Sequence, residues 1–140
     1  MSANNYRSRK SRIIILILVI VVINGIWFLF LRDDGISTSK ASNLLVGEWI
    51  RTDGDYTIEI NILEEDGVLS AFYFNPNPIH VGRSGWKVKD ETLWIFVELQ
   101  DENYPGSLYE LGYDKENDML KGTYYQAVAR QTFNVEFTKK

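Results

Sequence analysis

Residues 92–99 read Thr-Leu-Trp-Ile-Phe-Val-Glu-Leu, and this stretch decides the fold class. Every second residue from Leu93 to Leu99 is aliphatic, whereas two aromatic residues and a glutamate take the alternate positions. Successive side chains of a β-strand point to opposite faces, so this period of two predicts a strand with one face buried. The polar pair Asp90-Glu91 just before it marks a turn.

Similar alternating runs, separated by turn signals every 8–12 residues or so, extend in both directions from this stretch. They predict eight strands: Gly47–Thr52, Tyr56–Leu63, Val68–Asn75, Val81–Lys89, Thr92–Leu99, Ser107–Asp114, Met119–Ala127 and Gln131–Thr138. In the second strand, the residues predicted to share one face are Tyr56, Ile58, Ile60 and Ile62.

The connections between these strands are all short, which makes sequence neighbours antiparallel neighbours in space. A meander of this length leaves two exposed edges unless its last strand pairs with its first. The predicted fold class is therefore all-β: an eight-stranded antiparallel up-and-down meander barrel over residues 46–140. The alternative, a sandwich with Greek-key crossings, needs a long connection that the sequence lacks.

The segment Val46-Gly47-Glu48-Trp49, which opens the first strand, resembles the start of the calycin barrels: the lipocalins, fatty-acid-binding proteins and avidins. In those families a Gly-x-Trp begins strand one and the Trp plugs one end. The resemblance implies a small ligand-binding barrel plugged by Trp49, and its short turns are most similar to avidin. Lipocalins place a basic residue over this Trp, near the end of the last strand; Lys139 is the candidate for that place. Avidin's ligand-contacting residues have no counterpart here, so biotin is not implied.

Residues 13–31, IIILILVIVVINGIWFLFL, carry no charge and precede the barrel. As a helix they would extend about 28 Å, close to the hydrocarbon thickness of a bilayer. We predict one N-terminal transmembrane helix over 13–31. A cleaved signal peptide is the alternative, but its apolar core is shorter and a small-x-small site follows it directly.

The four basic residues in the tail 1–12 favour a cytoplasmic N-terminus. The barrel is then expected outside the inner (plasma) membrane, in the periplasm. Residues 32–45 are small and polar, and we interpret them as a flexible linker between anchor and barrel.

Charge and composition exclude several functions. All 19 acidic residues follow the anchor, so the barrel is more acidic than the whole chain, whose net charge is −4. Nucleic-acid binding needs a clustered basic face and is not expected. The chain has no cysteine, which removes thiol nucleophiles, zinc–thiolate sites and thiol redox chemistry.

A ligand entrance, if the barrel has one, is expected at the end away from the membrane. In a meander the connections alternate between ends, and the two longest, Pro76–His80 and Gln100–Gly106, share that far end. Longer loops on a rigid scaffold commonly carry binding residues. The candidate ligand-binding residues are Tyr73, His80, Trp94, Asp101, Tyr104 and Arg130. The alternative is that inward side chains fill the barrel completely. An eight-stranded barrel is just wide enough either for side chains alone or for one small ligand.

Catalysis is not expected. His80 is the only histidine, and no nucleophile motif accompanies it. We therefore expect no enzyme, no metal and no cofactor. Two classes of function remain. The first is a membrane-anchored module that binds a small amphipathic or aromatic ligand. The second is a structural or interaction module that docks another envelope protein and binds no ligand.

Overall fold

A computed structural model describes residues 35–140. The predicted cytoplasmic tail, transmembrane helix and first part of the linker lie outside the described residues. The described elements are one helix, α1 (Thr38–Leu45), and nine strands: β1 (Gly47–Arg51), β2 (Thr57–Leu63), β3 (Leu69–Asn75), β4 (Asn77–Ile79), β5 (Val81–Lys89), β6 (Thr92–Asp101), β7 (Tyr104–Asp114), β8 (Met119–Gln126) and β9 (Gln131–Lys139).

The strands form one antiparallel sheet in the order β4-β3-β2-β1-β9-β8-β7-β6-β5. The predicted pairing of the last strand with the first is confirmed: β9 pairs with β1, and Trp49 lies opposite Lys139. Because every other neighbour in the sheet is also a neighbour in sequence, the fold is an up-and-down meander that curls into a nearly closed barrel.

The predicted count of eight strands is wrong by one. The predicted loop Pro76–His80 contains β4, which pairs with β3 through Tyr73 and Ile79. A strand with Pro78 inside it is tolerated because β4 is an edge strand, where a missing backbone N–H breaks no central ladder. The other predicted loop, Gln100–Gly106, is also mostly strand: β6 runs to Asp101 and β7 begins at Tyr104.

Between β3 and β5 the barrel wall is only partly joined; we call this boundary the seam. Val68 and Gly85 form an isolated bridge there, and the Ser84 hydroxyl donates to the Leu69 carbonyl at 2.6 Å. Within the described chain, residues 70–72 and 81–83 are not paired with each other. The seam is thus held where residues 67–69 meet residues 84–86 and is unpaired beyond them.

The alternation predicted for β6 is confirmed, since every second residue from Leu93 to Leu99 is aliphatic and buried. The face assigned to β2 is correct for Ile58 and Ile60 and wrong for Ile62, which is 57% exposed. A register shift between Ile60 and Ile62 is the reason, because one extra residue turns every later side chain to the opposite face. Leu63 is the next inward residue.

The second part of the predicted linker is a helix, not a flexible chain. The Ser37 hydroxyl accepts a hydrogen bond from the Lys40 N–H at 3.3 Å and caps α1. Ala41 and Leu45, four residues apart, lie on one helix face and are fully buried. Burial of this face explains why eight residues suffice for a helix that would not be stable alone.

Trp49 lies directly below α1. Its indole N–H donates to the Leu45 carbonyl at 2.8 Å, and its ring meets that of Tyr113 edge to face at 6.3 Å. The Lys139 ammonium lies 5.2 Å from the Trp49 ring and donates to the Leu44 carbonyl at 2.8 Å. The structure thus places Lys139 beside Trp49, the position that the calycin resemblance implies for a basic residue.

Candidate functional site

A polar cluster occupies the barrel interior on the side of Trp49 away from α1. Trp49 and Arg51 are two residues apart in β1, so both side chains point inward. Tyr56, Tyr109 and Tyr124 contact Arg51, and Tyr73 and Tyr104 pack behind Tyr109. We call the group the Arg51–tyrosine cluster; its members are Arg51, Tyr56, Tyr73, Tyr104, Tyr109 and Tyr124.

Arg51 is the centre of this cluster, and its side chain is only 11% exposed. Its Nη1 donates to the Tyr109 hydroxyl at 3.3 Å. The Tyr56 ring covers the guanidinium with its centroid 4.0 Å away, and the Tyr124 ring lies at 5.9 Å. Both distances allow a cation–π interaction, which is strongest where water is excluded. The guanidinium also forms a two-point ion pair with Asp53, whose Oδ2 accepts from Nη2 at 2.9 Å.

Two tyrosine hydroxyls meet inside the barrel, and further tyrosine rings pack around them. The hydroxyls of Tyr73 and Tyr109 are 3.0 Å apart, and both residues are buried. The ring of Tyr104 meets that of Tyr73 edge to face at 6.3 Å, and its hydroxyl accepts from the Asn75 side-chain amide at 2.6 Å. Tyr109 also stacks on Tyr124, with ring centroids 4.4 Å apart. The cluster therefore combines stacked aromatic faces with hydroxyl groups.

Burial controls the charges of the cluster. It raises the pKa of the Tyr73 phenol far above its ordinary value. Burial also raises the pKa of Tyr109 to about 12, although its hydrogen bonds with Tyr73 and Arg51 act against the rise. Burial alone would lower the pKa of Arg51, but hydrogen bonds to Asp53 and Tyr109 outweigh it and raise the pKa. At neutral pH Arg51 is thus a permanent cation beside the uncharged hydroxyls of Tyr73 and Tyr109.

One exposed turn covers Arg51. Residues 52–56 connect β1 to β2, and we call them the cap turn. Asp53 and Tyr56 both reach Arg51 from it. Gly54 packs so closely on the Tyr56 ring that a Cβ there would lie 2.6 Å from the ring's Cε2. The cap turn thus separates the cluster from solvent.

The sequence-predicted residues reach different places. The structure brings Tyr73 and Tyr104 together in the cluster. His80 and Asp101 lie beside Tyr104 on the rim: the His80 backbone N–H donates to Asp101 Oδ2 at 2.9 Å, and Asp101 is the cross-strand partner of Tyr104. The His80 side chain is exposed. Two hydrogen bonds to backbone N–H groups, from His80 and Glu102, lower the pKa of Asp101.

Arg130 and Trp94 lie away from the cluster. Arg130 is exposed in the β8–β9 turn with φ of 54°. Trp94 points outward from β6, opposite to the buried Leu93 and Ile95, so it does not face the barrel interior.

Sequence reasoning missed four members of the cluster: Arg51, Tyr56, Tyr109 and Tyr124. A signal for Arg51 exists, because it follows the inward Trp49 by two residues in a predicted strand. Tyr109 also has one, since it alternates with Leu111 in β7. No sequence signal shows that these side chains converge, because they come from strands far apart in the chain.

A groove of about 550 Å³ lies on the outer face of β5–β7. Aromatic side chains form its floor, with basic residues on β5 and carboxylates on β6 and β7. We call it the outer groove; its outward side chains include Trp94, Phe96, Arg83, Glu98 and Glu110.

No protein family, curated protein or solved structure that was compared matches this chain. Within residues 35–140 no group of histidine, aspartate and glutamate side chains could hold a metal ion. The same range contains no helix of the length and apolarity needed to cross a bilayer.

Proposed function

We propose that this protein is a membrane-anchored, extracytoplasmic β-barrel that binds a small amphipathic or aromatic ligand at the Arg51–tyrosine cluster. The observation that carries the proposal is a largely buried arginine, in contact with three tyrosines, at the end of the first strand of a barrel. Binding sites of this kind combine apolar and aromatic walls with a few well-placed polar groups. The predicted helix 13–31 would hold the barrel on the periplasmic side of the inner membrane.

The cluster suits binding better than catalysis. Burial raises the pKa values of Tyr73 and Tyr109 above their ordinary values, whereas general acid–base catalysis favours groups with pKa values near the working pH. A ligand that stacks on Tyr124 or Tyr56 and bonds to the hydroxyls would gain affinity without any covalent step.

The test is native mass spectrometry of the full chain, purified from its host in lipid nanodiscs. A bound small molecule is expected, and its addition to ligand-free protein should raise the melting temperature. The variant Tyr109→Phe should bind it more weakly, whereas Tyr125→Phe, on the outer face, should not. The absence of any bound molecule, together with no stabilisation by small aromatic compounds, would contradict the proposal.

A second candidate function is docking of another envelope protein, and the outer groove favours it. Exposed aromatic side chains flanked by charges of both signs are common at protein interfaces. Trp94→Ser with Phe96→Ser should then abolish co-purification of a membrane partner. The control Val128→Ser alters a side chain that is more exposed and lies outside the groove. Retention of the partner by the double variant would argue against docking there.

A further inference from the structure

We infer that Arg51 is a receptor for the carboxylate of an amphipathic or aromatic acid, and that Asp53 occupies the carboxylate position in the ligand-free protein. The inference rests on the proposed function and names the chemical class of its ligand. Binding would exchange one carboxylate for another on the same guanidinium.

The geometry of the ion pair supports the exchange. Asp53 Oδ1 accepts from Arg51 Nε, and Oδ2 accepts from Nη2, so the aspartate engages one side of the guanidinium with both oxygens. Such two-point binding is the arrangement in which arginine recognises free carboxylates. The fork of Arg51 is thus already oriented for a carboxylate.

The two partners differ in how firmly they are held. The Arg51 side chain is 11% exposed, whereas that of Asp53 is 57% exposed. Arg51 is held by Tyr109 and Tyr124, which lie on β7 and β8 outside the cap turn. Asp53, in contrast, bonds to no side chain other than Arg51 among the described residues. Movement of the cap turn would therefore release Asp53 and leave the arginine in place.

The cluster favours a monoanion with an aromatic or apolar body. Arg51 is the one cation among the members of the cluster, so a single negative charge is matched and a second would be uncompensated. The Tyr109 hydroxyl lies 3.3 Å from Nη1 and is near enough to donate a hydrogen bond to one oxygen of a carboxylate bound to Arg51. The Tyr124 ring, 5.9 Å from the guanidinium, would contact the body of the ligand once the cap turn has moved away from Arg51.

The experiment uses the full chain in nanodiscs and two probes of nearly equal size, 2-naphthoate and the uncharged 2-naphthalenemethanol. Equilibrium dialysis against empty nanodiscs gives the affinity of each. We expect the wild type to prefer naphthoate about tenfold, since only naphthoate offers the guanidinium a charged acceptor. Arg51→Gln and Arg51→Lys should both lose most of this preference, because neither retains the guanidinium fork.

Asp53→Asn tests the exchange itself. It removes the competing charge, so naphthoate affinity should rise about tenfold, on the order of one charged hydrogen bond, while the affinity for the alcohol stays unchanged. The matched control is the exposed pair Arg83 and Glu98 on the outer face. Glu98→Gln and Arg83→Gln should alter neither affinity.

The outcomes separate the two proposals. Equal binding of both probes, unchanged in Asp53→Asn, would overturn the carboxylate inference and leave the proposed function standing. Binding of neither probe by the wild type or by Asp53→Asn would overturn both. Near-ultraviolet circular dichroism identifies variants that fail to fold. If Arg51→Gln does not fold, the affinities of Arg51→Lys and Asp53→Asn for the two probes still test the carboxylate inference.

Discussion

At the scale of single residues, the hydrogen bond between the buried hydroxyls of Tyr73 and Tyr109 is expected to contribute to the stability of the fold. We expect Tyr73→Phe to lower the free energy of unfolding by about 1–3 kcal/mol, because the buried Tyr109 hydroxyl loses a partner. Denaturant unfolding followed by tryptophan fluorescence measures the change. Tyr125→Phe, an exposed tyrosine, is the control and should have almost no effect.

The double variant Tyr73→Phe with Tyr109→Phe makes this prediction sharper. Removing both hydroxyls leaves no unpaired phenol, so the double loss should be smaller than the sum of the single losses. Strict additivity would show that the two hydroxyls do not interact in solution.

Tyrosine ionisation gives a second prediction at this scale. The folded chain holds the pKa of Tyr109 at about 12, mainly through burial. Burial and the neighbouring Asp118 raise the pKa of Tyr113 to about 12 as well. An unfolded tyrosine titrates near pH ~10. The folded state therefore binds these protons more tightly, and stability present below pH ~10 is lost as the pH rises towards ~12.

Ultraviolet difference titration should detect this late ionisation. Tyr109→Phe and Tyr113→Phe should each remove part of the absorbance change near pH 12, and the double variant should remove both parts. A late step of undiminished size in the double variant would contradict the assignment.

At the scale of elements, α1 is the clearest case in which packing decides the structure. We expect Leu45→Ala to lower the free energy of unfolding by about 2–5 kcal/mol, because Leu45 is fully buried and its loss leaves a cavity above Trp49. Val46→Ala, at the exposed neighbouring residue, is the control. A small effect of Leu45→Ala in the same unfolding assay would mean that α1 detaches in solution.

Strand existence could be predicted from the sequence because a period of two is a local signal. The same reasoning failed wherever tertiary contacts override that signal. Residues 38–45 are mostly small and polar, and only Ala41 and Leu45 are buried. The segment forms a helix because these two residues pack against the barrel. Ile62 faces outward because of a register shift that leaves no mark in the pattern.

The candidate site was predictable only in part, and for a related reason. Tyr73 and Tyr104 follow from their position near the far end, but the argument rested on two long loops that are in fact mostly strands. Arg51 was missed although its alternation with Trp49 points it inward. An inward arginine indicates a binding site only when the groups around it are known, and the tyrosines that contact Arg51 from β7 and β8 are distant in the sequence.

At the scale of the whole molecule, the seam is the weakest part of the barrel wall. Ser84→Ala removes the hydroxyl that bonds to Leu69 across it. We expect amide hydrogen exchange to become several-fold faster at Trp86, whose N–H donates to Gly67 across the same boundary, since one hydrogen bond is worth ~1 kcal/mol. Ser70→Ala, on the opposite side of the seam, is the control. Equal acceleration throughout β6 and β7 would show global destabilisation instead.

The orientation of the whole chain gives the last prediction. The basic tail 1–12 and the uncharged stretch 13–31 favour a cytoplasmic N-terminus and a periplasmic barrel. Alkaline phosphatase, which folds only where disulfides form, should therefore be active when fused after the exposed Lys140. The same enzyme fused before Met1 of the full chain, which keeps the stretch 13–31, should be inactive. Replacing the basic residues Arg7, Arg9, Lys10 and Arg12 with glutamine should weaken this bias and leave the barrel itself unchanged. Activity of the N-terminal fusion and silence of the Lys140 fusion would invert the orientation and place the Arg51–tyrosine cluster in the cytoplasm, where a periplasmic ligand could not reach it.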